Sequence, residues 1–177
     1  MASEKTAKGF MAYKIGDKTI GEYINMARMP IYALIALDII NYLVTLLIYL
    51  PGYALGLALA AGSISMLISL LQLIIAGYIG YIIVKNYSGD LMNAAWGGGL
   101  AGAISGLAGA ILGVIVGAIL LTANPIYGGA LLAASLVGII IGTIVGAIVG
   151  AILAVIGGLI AGARTFGQMT TAQTAKR

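Results

Sequence analysis

Apolar residues fill four long blocks of the chain, at about 31–50, 53–84, 91–123 and 126–163, and polar residues gather in the gaps between them. Each block reaches the roughly 20 residues that a helix needs to cross a bilayer core, so the pattern predicts four transmembrane helices. The gaps carry turn chemistry: "LPGY" at 50–53, "KNYSGD" at 85–90, where Ser88 or Asp90 is placed to cap the third helix, and "ANPI" at 123–126, where Asn124-Pro125 ends it. Connections this short join antiparallel neighbours, so the spans are expected as two antiparallel hairpins, the first with the second and the third with the fourth.

Ahead of the first block, "KTIGEYINMARMP" sets Thr19 and Glu22 at capping-box spacing and puts Ile20, Tyr23, Ile24 and Ala27 on one face. A short interfacial helix is expected there, ending in a bend at Met29 imposed by Pro30, with a continuous kinked helix as the alternative. Upstream, "YKIGDKTI" alternates around Gly16-Asp17 as a small β-hairpin would. The expected organisation is therefore an all-α membrane protein with a cytoplasmic N-terminal segment at 1–29, a four-helix membrane domain at 30–163 and a polar, frayed tail at 164–177.

Composition strengthens the membrane reading, since 62% of the 177 residues are hydrophobic and only 8% are charged. The absence of cysteine and histidine from the sequence removes thiolate chemistry and the commonest metal ligands, and no cofactor is expected. The first residues contain no apolar core of signal-peptide length and no lipidation site, so the spans themselves are expected to direct insertion. Charge then sets the orientation. Lys5, Lys8, Lys14, Lys18 and Arg28 precede the first span, Lys85 lies between the second and third, and Arg164, Lys176 and Arg177 follow the fourth. The positive-inside rule puts both termini in the cytoplasm. Tyrosines agree: Tyr49, Tyr53 and Tyr127 cluster at the external turns, and Tyr32, Tyr78, Tyr81, Tyr87 and Trp96 toward the internal ends, with Tyr42 the exception.

The stretch 133–163 holds seven glycines, although glycine is a poor helix former. Small residues recur there every fourth position: Ala130, Ala134, Gly138, Gly142, Gly146, Gly150, Ala154, Gly158 and Gly162. The third span carries two adjacent stripes, Gly98, Gly102, Gly106 and Ala110 beside Ala101, Ser105, Gly109, Gly113 and Gly117. Residues four apart share a helical face, and a face without side chains lets another backbone approach closely. These stripes are expected to pack the third span on the fourth, and the second stripe leaves a surface for contact between chains. Alanine at Gly146 is expected to be tolerated and isoleucine to force the helices apart.

Asp38 is an acidic residue well inside a span, with Asn41 three positions on and Thr45 four beyond that. An ionisable group in hydrocarbon is costly enough to be a candidate proton or cation site. The competing expectation is a carboxyl satisfied by Asn41, by Ser63 or Ser65, or by a neighbouring chain, with Gln72, Ser69 and Ser105 as bridges between helices. Glycine-rich hairpins with one membrane carboxylate are also found in the rotor-ring proteolipids of rotary ATPases, but their carboxylate lies on the second helix of a hairpin and Asp38 on the first. The low complexity, short loops and isoleucine-glycine richness resemble small multi-spanning archaeal membrane proteins of unknown function.

No phosphate loop, nucleophile with base or carboxylate pair stands out, and "GGG" at 97–99 lacks the lysine and strand context of a nucleotide loop. The sequence therefore reads as a non-enzymatic membrane scaffold or coat subunit that associates with copies of itself or a larger assembly. A small channel or transporter using Asp38 is the alternative. Lipids are the expected partners and nucleic acid is not, because topology and anionic headgroups account for the basic residues.

Overall fold

The structure, a computed structural model, describes residues 9–49, 55–87 and 89–174, with side-chain environments over 9–49, 62–87 and 89–162. The described chain is almost entirely helical, and four of its helices are long and apolar enough to cross a membrane. They are α1 (Ile20–Tyr49), α2 (Leu55–Tyr87), α3 (Leu91–Ala123) and α4 (Pro125–Thr174). The turn at 50–53, with Tyr53, and the capping candidate Ser88 lie outside the described residues, as do Lys5, Lys8, Lys176 and Arg177.

A two-stranded ribbon precedes α1, with Lys14–Ile15 (β1) antiparallel to Lys18–Thr19 (β2). Gly16 turns between them at φ +69°, a conformation that costs glycine little. The capping box forms as its spacing predicts: the Glu22 carboxylate accepts from the Thr19 amide at 2.6 Å, and Thr19 Oγ1 accepts from the Glu22 amide at 3.2 Å.

At Pro30 the helix is continuous, the alternative that the sequence left open: α1 runs from Ile20 to Tyr49 without a break. Its buried residues explain this: Ile20, Tyr23, Ala27, Pro30, Ile31 and Leu34 form one continuous stripe on both sides of the proline. Packing along that stripe offsets the amide hydrogen bond that Pro30 cannot donate. The core cluster at this end joins Ala27, Ile31 and Leu34 of α1 to Ile79 and Ile83 of α2 and Ala101 of α3. Beyond Leu34, α1 has no buried residue.

Asp90 caps α3, its carboxylate accepting from the Asn93 amide at 2.7 Å. Asn124 serves two helices at once. Its amide donates to the Leu120 carbonyl at 2.7 Å to close α3, and its side-chain oxygen accepts from the Tyr127 amide at 3.2 Å to open α4, whose first residue is Pro125. At the far end α4 continues past residue 163 to Thr174, so the stretch expected as a frayed tail is helical for most of its length. The sequence has no proline after Pro125 to interrupt the backbone ladder.

Candidate functional site

Besides the apolar core cluster, two kinds of contact hold the helices together, and they fall on different pairs. Between α3 and α4 the contacts are backbone on backbone. A Cβ added at Gly98 would overlap the Gly150 carbonyl, one at Gly102 the Gly146 carbonyl, and one at Gly106 the Gly142 carbonyl. Gly138 faces Ala110, and Gly113 faces Ser135. In every one of these pairs the two residues are equidistant in sequence from Asn124, so the short turn there fixes the register of the seam. Apolar helices in lipid gain little from burying apolar surface, and close van der Waals contact with Cα–H···O bonds supplies the attraction instead.

The other predicted stripe positions find partners within the chain too. Gly109 faces the Asp38 carboxylate, Gly117 the backbone of Leu132, and Gly158 a pocket of Val84, Leu91 and Ala94, while at Gly162 a Cβ would meet nothing within 4 Å among the described residues. Ala101 is buried in the core cluster and Ser105 bonds to α1. The surface that the second stripe of α3 was expected to leave for another chain is thus covered by α1 and α4.

The geometry reverses the expectation for alanine at Gly146, because its Cβ would lie 2.5 Å from the Gly102 carbonyl oxygen unless a backbone shifts. Gly142 is the permissive position, with its nearest atom 3.9 Å away. A contact missed in the sequence joins α2 to α4, where Gly80 presses on the Ala154 backbone and Gly157 on Gly77. The signal was present as two glycines three apart, Gly77 and Gly80, which share a helical face.

Besides the apolar core cluster that holds its first half, helix α1 is tied to its neighbours by polar and aromatic side chains. Nearest its start, the buried Tyr23 hydroxyl donates to Asn93 Oδ1 of α3 at 2.6 Å. Midway, Asp38 accepts two hydrogen bonds, from Gln72 Nε2 of α2 at 2.7 Å and from Ser105 Oγ of α3 at 3.1 Å. One turn further, the hydroxyls of Tyr42 and of Ser135 on α4 both border the space left by Gly113. At the end, the Tyr49 and Tyr127 rings stack with centroids 3.5 Å apart and planes 11° from parallel.

No protein-family model, curated protein or solved structure matches this chain. The site is accordingly defined by its chemistry. Gln72 and Ser105, expected as interhelical bridges, both bond to Asp38, whereas Ser69 bonds back to the Ser65 carbonyl of its own helix. Asn41 is not a partner of Asp38: its Oδ1 is buried with no hydrogen-bond partner among the described residues, and its carbonyl accepts from Thr45. Asp38 and Gln72 line a cavity of about 270 Å³, whose other walls include Ser105 and the glycine rungs at 102, 106, 146 and 150. A carboxyl with two donors beside a small cavity can hold a proton or bind a cation, and it can equally serve as the polar joint of three helices.

Proposed function

We propose that this chain is a non-enzymatic integral membrane scaffold. In this reading the spans form two antiparallel pairs, α1 with α2 and α3 with α4, and the unit associates with further copies or with a larger membrane assembly, such as the coat of a vesicle or virion. The observation that supports it is that the glycine rungs and the polar joints are spent inside the chain, while α4 turns outward a stripe of Ile140, Ile144, Ile148 and Ile152, each more than half exposed. An aliphatic face of this kind suits acyl chains or another such face. Contact between chains is assigned to these outward faces rather than to the glycine stripes.

Association is tested with single cysteines in the cysteine-free sequence. Cysteine at Ile148 is expected to crosslink between copies in a bilayer, and cysteine at Gly142, turned into the seam, is not. Crosslinking at Gly142 alone would return the interface to the stripe, and a monomer in both cases would remove self-association.

The basic residues orient the unit with both termini and Lys85 in the cytoplasm and with the first turns of α1, before Pro30, at that membrane surface. A membrane-impermeant thiol reagent applied to intact cells is expected to label cysteine at Tyr127 and to spare cysteine at Lys85; the reverse pattern would invert the topology.

The cavity beside Asp38 favours a second reading, a proton or cation path through the unit, in which the Asp38 carboxyl exchanges its proton or binds the ion.

A further inference from the structure

We propose that the crevice between α2 and α4 holds one chain of an anionic phospholipid whose phosphate is bound by Lys85; this rests on the membrane-spanning reading above. The crevice has a volume of about 560 Å³ and is open along one side. Its floor is the contact of Gly77 with Gly157, where the backbones already touch and no side chain rises to fill the space. Its walls are large side chains, among them Ile74 and Tyr78 on α2 and Ile156 and Ile160 on α4. All four wall residues are exposed, so the crevice faces the hydrocarbon. A groove of this shape left empty would forfeit dispersion contacts along both walls, and a flexible chain fills it.

The dimensions fit one leaflet. On α2 the lining runs from Leu73 to Tyr81, which at about 1.5 Å per residue is about 12 Å, against about 15 Å for half of a hydrocarbon core of about 30 Å. One turn beyond Tyr81 stands Lys85. A lysine at a membrane boundary ordinarily extends its ammonium away toward water. Here the side chain folds back along α2, its Nζ donating to the Tyr81 hydroxyl at 2.8 Å and lying 5.1 Å from the centre of that ring. The ammonium thus lies at the mouth of the crevice beside the Tyr81 hydroxyl, and its remaining N–H donors suit the oxygens of a phosphate. Tyr78 and Tyr81, with planes 15° apart, flank the same mouth.

The test uses full-length protein in nanodiscs of phosphatidylglycerol and phosphatidylcholine with identical acyl chains in equal amounts. Retained lipids are counted by native mass spectrometry, and insertion is checked by alkaline extraction from vesicles of the same mixture. Ile74→Trp fills the crevice from an exposed position, and Lys85→Gln removes the charge. The wild-type protein is expected to retain phosphatidylglycerol over phosphatidylcholine by about five-fold, the discrimination one lysine provides at a membrane surface. Ile74→Trp is expected to retain one lipid fewer, and Lys85→Gln to retain the lipid without the preference. If inserted Ile74→Trp keeps the wild-type lipid count, or inserted Lys85→Gln keeps the preference, the lipid site is refuted while the membrane reading stands. Wild-type protein released by alkali would overturn both.

Discussion

Gly102→Ala is expected to destabilise the protein by about 1–3 kcal/mol, the usual cost of forcing a methyl group into a filled contact, whereas Gly142→Ala leaves stability unchanged or raises it. Both changes remove a glycine from the middle of a helix, which by propensity alone gains up to about 1 kcal/mol. The surroundings decide the sign. The new methyl at 102 would meet the Gly146 carbonyl, part of a helix backbone that can retreat only by moving the helix, while the methyl at 142 has ordinary clearance, with its nearest atom at 3.9 Å. Gly146→Ala should follow Gly102→Ala, its methyl lying 2.5 Å from the Gly102 carbonyl oxygen. Unfolding midpoints in mild detergent provide the measurement. Equal effects at 102 and 142 would show that close approach at these rungs does not contribute to stability.

That contrast also marks how far the sequence could be read. The fourfold spacing of small residues was visible because hydrocarbon gives apolar helices few other ways to adhere, and a stripe without side chains is hard to explain by anything else. Asp38 was conspicuous for the same physical reason, being a lone acid in an apolar block. Its partners were not. Asn41 is nearest in sequence, yet the bonds come from Gln72, 34 residues away, and Ser105, 67 residues away, because rotation and tilt of whole helices decide which donors arrive. At Pro30 the local backbone preference left a break or a continuous kinked helix open, and the helix is continuous with a buried stripe on both sides of the proline. Tyr42, out of place in an interfacial belt, meets Ser135 at the space left by Gly113.

The second large effect concerns Asp38. Asp38→Leu is expected to destabilise the protein by about 1–3 kcal/mol, because Gln72 Nε2 loses its acceptor on α1, while the Ser105 hydroxyl can turn back to a carbonyl of its own helix as Ser69 does. Asp38→Asn retains one carbonyl oxygen to accept from Gln72, and its amide can donate to the serine hydroxyl, so the joint survives with little loss. The pair separates shape from charge. In sealed liposomes the scaffold reading expects no saturable proton or cation flux from either the wild-type protein or Asp38→Asn. A wild-type flux that Asp38→Asn abolishes, while its thermal stability is preserved, would make the carboxyl part of a conducting path and favour the second reading.

The seam between α3 and α4 is a repeat, and repeats are degenerate. Sliding one helix past the other by four residues would bring many small residues opposite small residues again, so the glycines specify closeness without specifying which glycine meets which. Asn124 removes that freedom by making the turn too short for any alignment but one. Helix α1 has no such repeat. Tyr23, Asp38, Tyr42 and Tyr49 each fit a different chemical partner, so a shift by one turn would break every joint at once. The protein thus combines a zip whose seats are interchangeable with a key that fits a single lock, and the lengths of its connections carry positional information that its most repetitive segment lacks.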